Sequence, residues 1–303
     1  MLLERIKRVV KNPSRVFIWT LYRTARIWPD KLYLQLRFFF EFGNKLNLKT
    51  PKTFNEKLQW LKLYNRKPNY TTMVDKYAVK DYVANIIGEE HIIPTLGVWN
   101  SVDEIDWEAL PNQFVLKTTH GGGGGGVVIC KNKAEFDRNK ACKILKKSMN
   151  GNIYITQREW PYKNVPKRII AEKYMIDESG YELKDYKFFC FNGKVECFKV
   201  DFDRFISHKA NYYDRNAKLL PFGETVCPAD RSKIFDKPKN FDKMIEYVET
   251  LSKNIPFVRI DFYNINGKIY FGEITFFPAA GMGKFEPMEW DYKLGEKLKL
   301  PIG

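Results

Sequence analysis

The chain reads as an α+β protein with largely antiparallel sheets. Strand-like runs occur in pairs joined by tight-turn residues, and amphipathic helical segments stand between the pairs instead of alternating with single strands. At 303 residues it can bury a large core and favours two or three subdomains over one.

The first 37 residues carry nine basic side chains (Arg5, Lys7, Arg8, Lys11, Arg15, Arg23, Arg26, Lys31, Arg37) against Glu4 and Asp30, a net +7. Phe17, Ile18, Trp19, Leu21, Tyr22, Ile27 and Trp28 are interleaved with them. A basic amphipathic segment of this kind suits an anionic membrane surface. It equally suits a helical pair docked on the core with its lysines solvated.

Thr53-Phe-Asn-Glu56 is a capping box opening a helix, with Phe54, Leu58 and Leu61 on one face. A second helix is predicted from Val74 to Ile87, ending at Gly88, and a short strand from Ile92 to Val98. Phe114 to Lys131 is a glycine-tipped hairpin, followed by a helix over 134–149. Arg168 to Met175 and Asp185 to Phe191 are strand-like, and Asn192-Gly193 turns the chain into Val195 to Asp201. An amphipathic helix over 239–254 stops at Pro256, and Asn266-Gly267 joins strands Phe257–Tyr263 and Lys268–Thr275.

The net charge of +15 calls for a polyanionic partner, and no nucleic-acid-binding module accompanies it. The five cysteines form no Cys-x-x-Cys pair, and only His91, His120 and His208 are present, which argues against a disulfide framework or a histidine metal site. No apolar run reaches a membrane-spanning length of about 18–20 residues, and no signal peptide is evident, so a cytoplasmic protein is expected.

Six consecutive glycines, Gly121, Gly122, Gly123, Gly124, Gly125 and Gly126, follow the strand that carries Lys117 and ends at His120. Such a run gives up strand energetics, and its usual use is to bring backbone N–H groups against a polyphosphate. A flexible hairpin or linker is the plainer alternative. Downstream, Arg259 and Asp261 alternate with the apolar Val258, Ile260 and Phe262, while Glu273 and Thr275 share a face of the next strand. Pairing these strands brings Asp261 and Glu273 together as hard-oxygen ligands suited to Mg²⁺. A cross-strand Arg259–Glu273 ion pair would use the same pattern. Lys76, Lys117 and Lys187 complete an inventory for a nucleoside triphosphate. A P-loop or a dinucleotide fingerprint needs a helix after its glycines, whereas Val127-Val-Ile-Cys130 continues as strand; the kinase His-Arg-Asp and Asp-Phe-Gly elements are missing.

These residues resemble the ATP-grasp superfamily, and several phrases resemble its TupA-like (teichuronopeptide-biosynthesis) branch: Lys52-Thr-Phe-Asn-Glu-Lys-Leu-Gln-Trp60, Asp75-Lys-Tyr-Ala-Val79, Arg158-Glu-Trp-Pro-Tyr-Lys163, Asp185-Tyr-Lys-Phe-Phe189 and Gly283-Lys-Phe-Glu-Pro287. The match runs from about residue 50 to 299. The resemblance implies an ATP-grasp fold of two α+β lobes clasping ATP. Residues 1–49 would be the basic helical segment, 50–110 the N-terminal subdomain, 111–175 the glycine-loop lobe and 176–303 the lobe with the metal site. It implies that Lys76 and Lys117 contact the adenine edge and α/β-phosphates and that Gly121–Gly126 fold over the β/γ-phosphates. Glu172 to Met175 would be the hinge, with the backbone of Lys173 and Met175 reading adenine. Asp261 and Glu273 would hold Mg²⁺, and Arg259 would face the γ-phosphoryl. Superfamily members usually have Asn where Thr275 stands; a hydroxyl is a poorer ligand, and water can take that place. His120 is a candidate phosphate donor or a structural loop residue. Arg204, His208 and Lys209 are candidates to hold the acceptor's carboxylate or the γ-phosphate, the alternative being a solvated loop.

The implied activity is carboxylate–amine ligation through an acyl phosphate in cell-surface polysaccharide assembly, joining an amino acid to a sugar carboxylate such as a uronic acid. The alternatives are a phosphotransferase acting on a glycan or small molecule, and a membrane-surface accessory protein with a regulatory ATP site.

Overall fold

A computed structural model describes residues 13–122, 125–178, 180, 183–202, 208–233 and 235–301. Gly123, Gly124, Arg204 and residues 1–12 of the basic segment lie outside the described residues.

Helices α1 (Pro13–Arg23) and α2 (Asp30–Phe42) pack on each other and dock on the core. Leu21, Ala25, Tyr33, Leu34 and Phe38 are buried in one cluster with Leu46 and Met282. The Tyr33 hydroxyl donates to Thr156 O at 2.6 Å, and Arg158 reaches back to Trp28 O and the Asp30 carboxylate, each at 2.9 Å.

Helix α3 (Phe54–Tyr64) opens on the expected capping box: Thr53 Oγ1 accepts from Glu56 N at 3.1 Å, and the Glu56 carboxylate accepts from Thr53 N at 3.0 Å. Its Lys62 is fully buried and donates to Gln157 O (2.9 Å) and Ala280 O (2.6 Å). Burial pushes the Lys62 pKa down and that of neighbouring Glu159 up.

The helix expected from Val74 to Ile87 is instead two, α4 (Asn69–Val74) and α5 (Ala78–Ile87). Asp75 causes the break. Its Oδ1 accepts from Tyr77 N at 2.9 Å and its Oδ2 from Arg168 at 2.6 Å, a side-chain turn that replaces helix. Lys76 therefore stands in a turn, held by its own N–H to Thr119 O at 3.1 Å. Strand β1 (Thr95–Trp99) starts later than the sequence suggests, after Pro94, which has no N–H to give a ladder.

Strands β2 (Phe114–Thr118) and β3 (Val127–Cys130) flank the glycines, followed by α6 (Arg138–Met149), α7 (Ile153–Gln157) and β4 (Ile169–Lys173). They form an antiparallel sheet in the order β1-β4-β2-β3. Phe114, Leu116, Val128, Ile169 and Ala171 pack there with Ala141 and Leu145 of α6.

The second sheet contains β5 (Asp185–Phe191), β6 (Lys194–Phe202) and β7 (Lys209–Asp214). After the two-residue β8 (Gly223–Glu224) and α8 (Phe241–Leu251), it is completed by β9 (Phe257–Ile265) and β10 (Lys268–Thr275), in the antiparallel order β10-β9-β5-β6-β7. Strand β11 (Phe285–Glu286) pairs with β8, and α9 (Glu289–Lys297) ends the described fold. Both Asn-Gly turns have positive φ at both residues (52° and 80°, 51° and 78°), the geometry that twists strands into a hairpin. Phe241 of α8 packs on Phe188 and Phe198, with ring centroids 5.8 and 4.9 Å apart. By the two-residue period, the opposite face carries Asp185, Lys187, Lys199, Asp201, Arg259 and Asp261.

Candidate active site

The glycine hairpin closes more tightly than its composition requires. Thr118 N donates to Gly126 O at 3.2 Å, and the Thr118 and Ser148 hydroxyls lie 2.7 Å apart between Gly121 and Gly126. A Cβ on Gly126 would stand 2.1 Å from Ser148 Oγ, and one on Gly121 would stand 2.4 Å from Thr118 Oγ1. Gly125, at the tip, has nothing within 4 Å of where its Cβ would be. The base of the loop thus needs glycine for close packing, while Gly125 is free of that constraint. His120 is buried at the loop entrance, and neither ring nitrogen makes a hydrogen bond of good geometry among the described residues, although the Ser148 backbone lies close. Burial and then Lys167 lower its pKa, so the ring is held neutral.

Beside the hairpin, Glu172 of β4 joins two lysines. Its carboxylate meets Lys80 Nζ of α5 and Lys117 Nζ of β2, both at 2.6 Å. Burial alone would raise the Glu172 pKa, but Lys117 and Lys80 hold it down at about 2. Glu172 in turn keeps the Lys117 pKa raised against burial, whereas for Lys80 burial wins and the pKa falls. Lys76 Nζ donates to Gly121 O, which ties the Asp75–Tyr77 turn to the glycine loop. Burial lowers its pKa against the pull of Glu273, a residue of the other sheet. Lys117 also feels Glu273 and Asp185, so the two lobes meet over one shared field. The Lys173 N–H is taken by Pro94 O at 3.0 Å. Met175 follows just beyond the end of β4.

Across the cleft, Asp261 and Glu273 are direct cross-strand partners, as expected, but through a one-residue register shift between Phe271 and Glu273 and not through regular alternation. Arg259 lies across both. Its guanidinium donates to Asp261 Oδ1 and Oδ2 at 2.7 Å each, to Glu273 Oε1 at 2.6 Å and to Thr275 Oγ1 at 3.1 Å. The cross-strand ion pair that the pattern also allowed is therefore formed, and Arg259 points at the carboxylates. Burial raises the Asp261 pKa to about 6 even though Arg259 opposes it. Glu273 is different: its side chain is 41% exposed, and against local crowding Arg259 and Lys76 keep its pKa lowered. Two adjacent carboxylates of unequal acidity, one of them open to solvent, fit a hard divalent cation such as Mg²⁺. A cation using Asp261 would take over charge compensation that Arg259 now provides.

Toward β7 the same face continues. Lys187 donates to Asp185 at 3.2 Å and to Asp201, and His208 Nε2 lies 3.3 Å from Asp201 Oδ1. The candidate Lys209 does not join them: it opens β7 in register with Phe202, so the two-residue period turns it to the face opposite Asp201. Asp201, His208 and Cys227 place possible ligand atoms within 4.8 Å of one another, but the Lys187 ammonium already meets the Asp201 charge. Lys199, Glu224 and Tyr212 form a neighbouring network, with Tyr212 donating to Glu224.

Two neighbours were missed in the sequence. Lys80 follows Lys76 by four residues, and Asp185 shares a strand face with Lys187; both spacings could have found them. Tyr162 lies close enough to Glu273 and Arg259 to be influenced by both, and burial, then Glu159, pushes its pKa well above the ordinary value.

Two antiparallel-sheet lobes that close a glycine hairpin over lysines and paired carboxylates are the architecture of ATP-grasp enzymes. Residues 56–299 match the family model described as TupA-like ATP-grasp, and the chain belongs to that family. Among solved structures it is similar to D-alanine–D-alanine ligase from Helicobacter pylori, at 15% identity over 82% of this chain and 70% of that one, with a TM-score of 0.42. It is also similar to D-alanine–D-alanine ligase from Bacillus anthracis (14%, 75% and 67%, 0.42) and to N5-carboxyaminoimidazole synthetase from Staphylococcus aureus complexed with ADP (16%, 67% and 44%, 0.35). No curated protein matches the chain.

Proposed function

We propose that the protein is an ATP-dependent carboxylate–amine ligase working through an acyl phosphate, and that it joins an amino acid to a sugar carboxylate, such as a uronic acid, in cell-surface polysaccharide assembly. One observation carries the ligase reading: Lys76, bonded to Gly121 O of the glycine loop, and Lys117 of β2 both act on Glu273 of the carboxylate lobe. Phosphoryl transfer needs such charge placement more than a covalent nucleophile. The polysaccharide role rests on the TupA-like family membership.

ATP would lie with its phosphates under Gly121–Gly126 and beside Lys76 and Lys117. Asp261 and Glu273 would hold Mg²⁺, which offsets phosphate charge when bound. Arg259, released from the carboxylates, would turn to the γ-phosphoryl. The acceptor carboxylate oxygen attacks the γ-phosphorus and ADP leaves; an amine then attacks the acyl carbon, phosphate departs with that oxygen, and the amine loses a proton. Lys187 and His208, both beside Asp201, lie where an anionic acceptor would sit, with Arg204 and Lys209 kept as candidates from the sequence alone.

Incubation with ATP, Mg²⁺, an amino-acid pool and uronic-acid glycans tests this. The expected result is ADP, inorganic phosphate and a product heavier by one amino acid less water. A phosphorylated product without free phosphate would instead make the protein a phosphotransferase.

A further inference from the structure

We propose that the outward side of the α1–α2 pair is a docking surface for an anionic phospholipid membrane, an inference independent of the reaction catalysed. Docking on the core uses only one side of the pair. The rest of the pair leaves Phe17 55%, Trp19 58% and Ile27 74% exposed, Phe17 and Trp19 on opposite flanks of α1, with Leu32 and Phe39 also exposed. These five come from 23 consecutive residues, while the other ten exposed large apolar side chains are scattered over the rest of the described chain. Three of them, Phe17, Leu32 and Phe39, form one run. Phe17 stacks on Phe40 at 4.8 Å, Phe40 meets Phe39 edge-on at 5.6 Å, and Leu32 lies two turns before Phe39 on one helical stripe.

The charge around this patch has one sign. Arg15, Arg23, Arg26 and Lys31 are exposed, and Arg23 lies 5.0 Å over the Trp19 ring. The two acids of these helices are already compensated: Asp30 by Arg66 and Arg158 (2.7 and 2.9 Å), Glu41 by Lys284 (3.5 Å). In sequence, residues 1–12 add Arg5, Lys7, Arg8 and Lys11 against Glu4. Exposed aromatics rimmed by cations match the interface of an acidic bilayer, where rings enter the headgroup boundary and cations meet phosphates. A second copy of this chain fits poorly, because a two-fold contact would set these cations against themselves. No helix among the described residues is long and apolar enough to cross the membrane, so contact would be peripheral.

The full chain should co-sediment with vesicles of phosphatidylcholine containing phosphatidylglycerol, only weakly with pure phosphatidylcholine, and less as salt is raised. Arg23→Ser with Arg26→Ser should weaken binding roughly 25-fold, at roughly fivefold per cation. Phe17→Ser, Trp19→Ser and Phe39→Ser together should also weaken it at least about tenfold, by loss of buried apolar area, with the melting temperature of both variants unchanged. Failure to bind anionic vesicles, equal binding by the variants, or self-association through this face without vesicle binding overturns the proposal.

Discussion

Glu172 illustrates how one side chain sets the electrostatics of a site. It satisfies Lys80 and Lys117 at once, so Glu172→Gln keeps the shape but leaves two enclosed ammonium groups without their counter-charge. Urea unfolding should show a loss of about 3–5 kcal/mol. The pH dependence has a definite sign. The Glu172 pKa is about 2 in the folded protein against an ordinary 4.5, so its contribution is complete above about 4.5 and is lost as pH falls toward 2. That contribution is on the order of 3 kcal/mol. Thermal melts of Glu172→Gln should therefore depend less on pH between about 4.5 and 2 than melts of the parent. Glu273 makes the complementary case. Its half-exposed carboxylate shares Arg259 with Asp261, which keeps that guanidinium paired without it, so Glu273→Gln should lower kcat about 100-fold or more while costing the fold less than Glu172→Gln does.

At the level of secondary-structure elements, the glycine hairpin separates packing from motion. Gly126→Ala drives a Cβ into Ser148 Oγ and Thr118 Oγ1, whereas Gly125→Ala meets nothing. Equilibrium binding of a non-hydrolysable ATP analogue should weaken about tenfold for Gly126→Ala and change little for Gly125→Ala, and Ser148→Ala should partly rescue the former. Equal effects at both positions would show that loop flexibility, not packing, decides affinity. The hairpin itself was legible in the sequence, since strand-forming residues stand on both sides of the glycines. Only the one-residue register shift between Phe271 and Glu273 sets Glu273 opposite Asp261, which regular alternation from the turn would not do, whereas the Asn-Gly turns themselves were legible from turn chemistry. The break at Asp75–Tyr77 was not, because it depends on Arg168, 93 residues away, fixing Asp75 in a turn. Strand β7 escaped notice because Asn211 and Asp214 are residues that strands disfavour; it is held by pairing with β6. The position of Arg259 was likewise open, as one alternation permits both a bridging guanidinium and a bridging cation.

Across the molecule, three hydrophobic cores are tied together by few polar anchors, and Lys62 is one of them. It connects α3 to the C-terminal end of α7, Thr156–Arg158, which holds the N-terminal helices, and to Ala280 beside the carboxylate lobe. Lys62→Met strands two buried carbonyls, so urea unfolding should show a loss of about 2–4 kcal/mol and proteolysis should cut first in the N-terminal helices. The lobes it joins are the two that must close on ATP for a ligase to work. Oxygen-18 tracing distinguishes that chemistry from simple ATP hydrolysis. A uronic acid labelled in its carboxylate is supplied with ATP, Mg²⁺ and the amine substrate, and the released phosphate is weighed by mass spectrometry. Ligation through an acyl phosphate predicts one labelled oxygen in each phosphate formed; unlabelled phosphate accompanying amide product would contradict it.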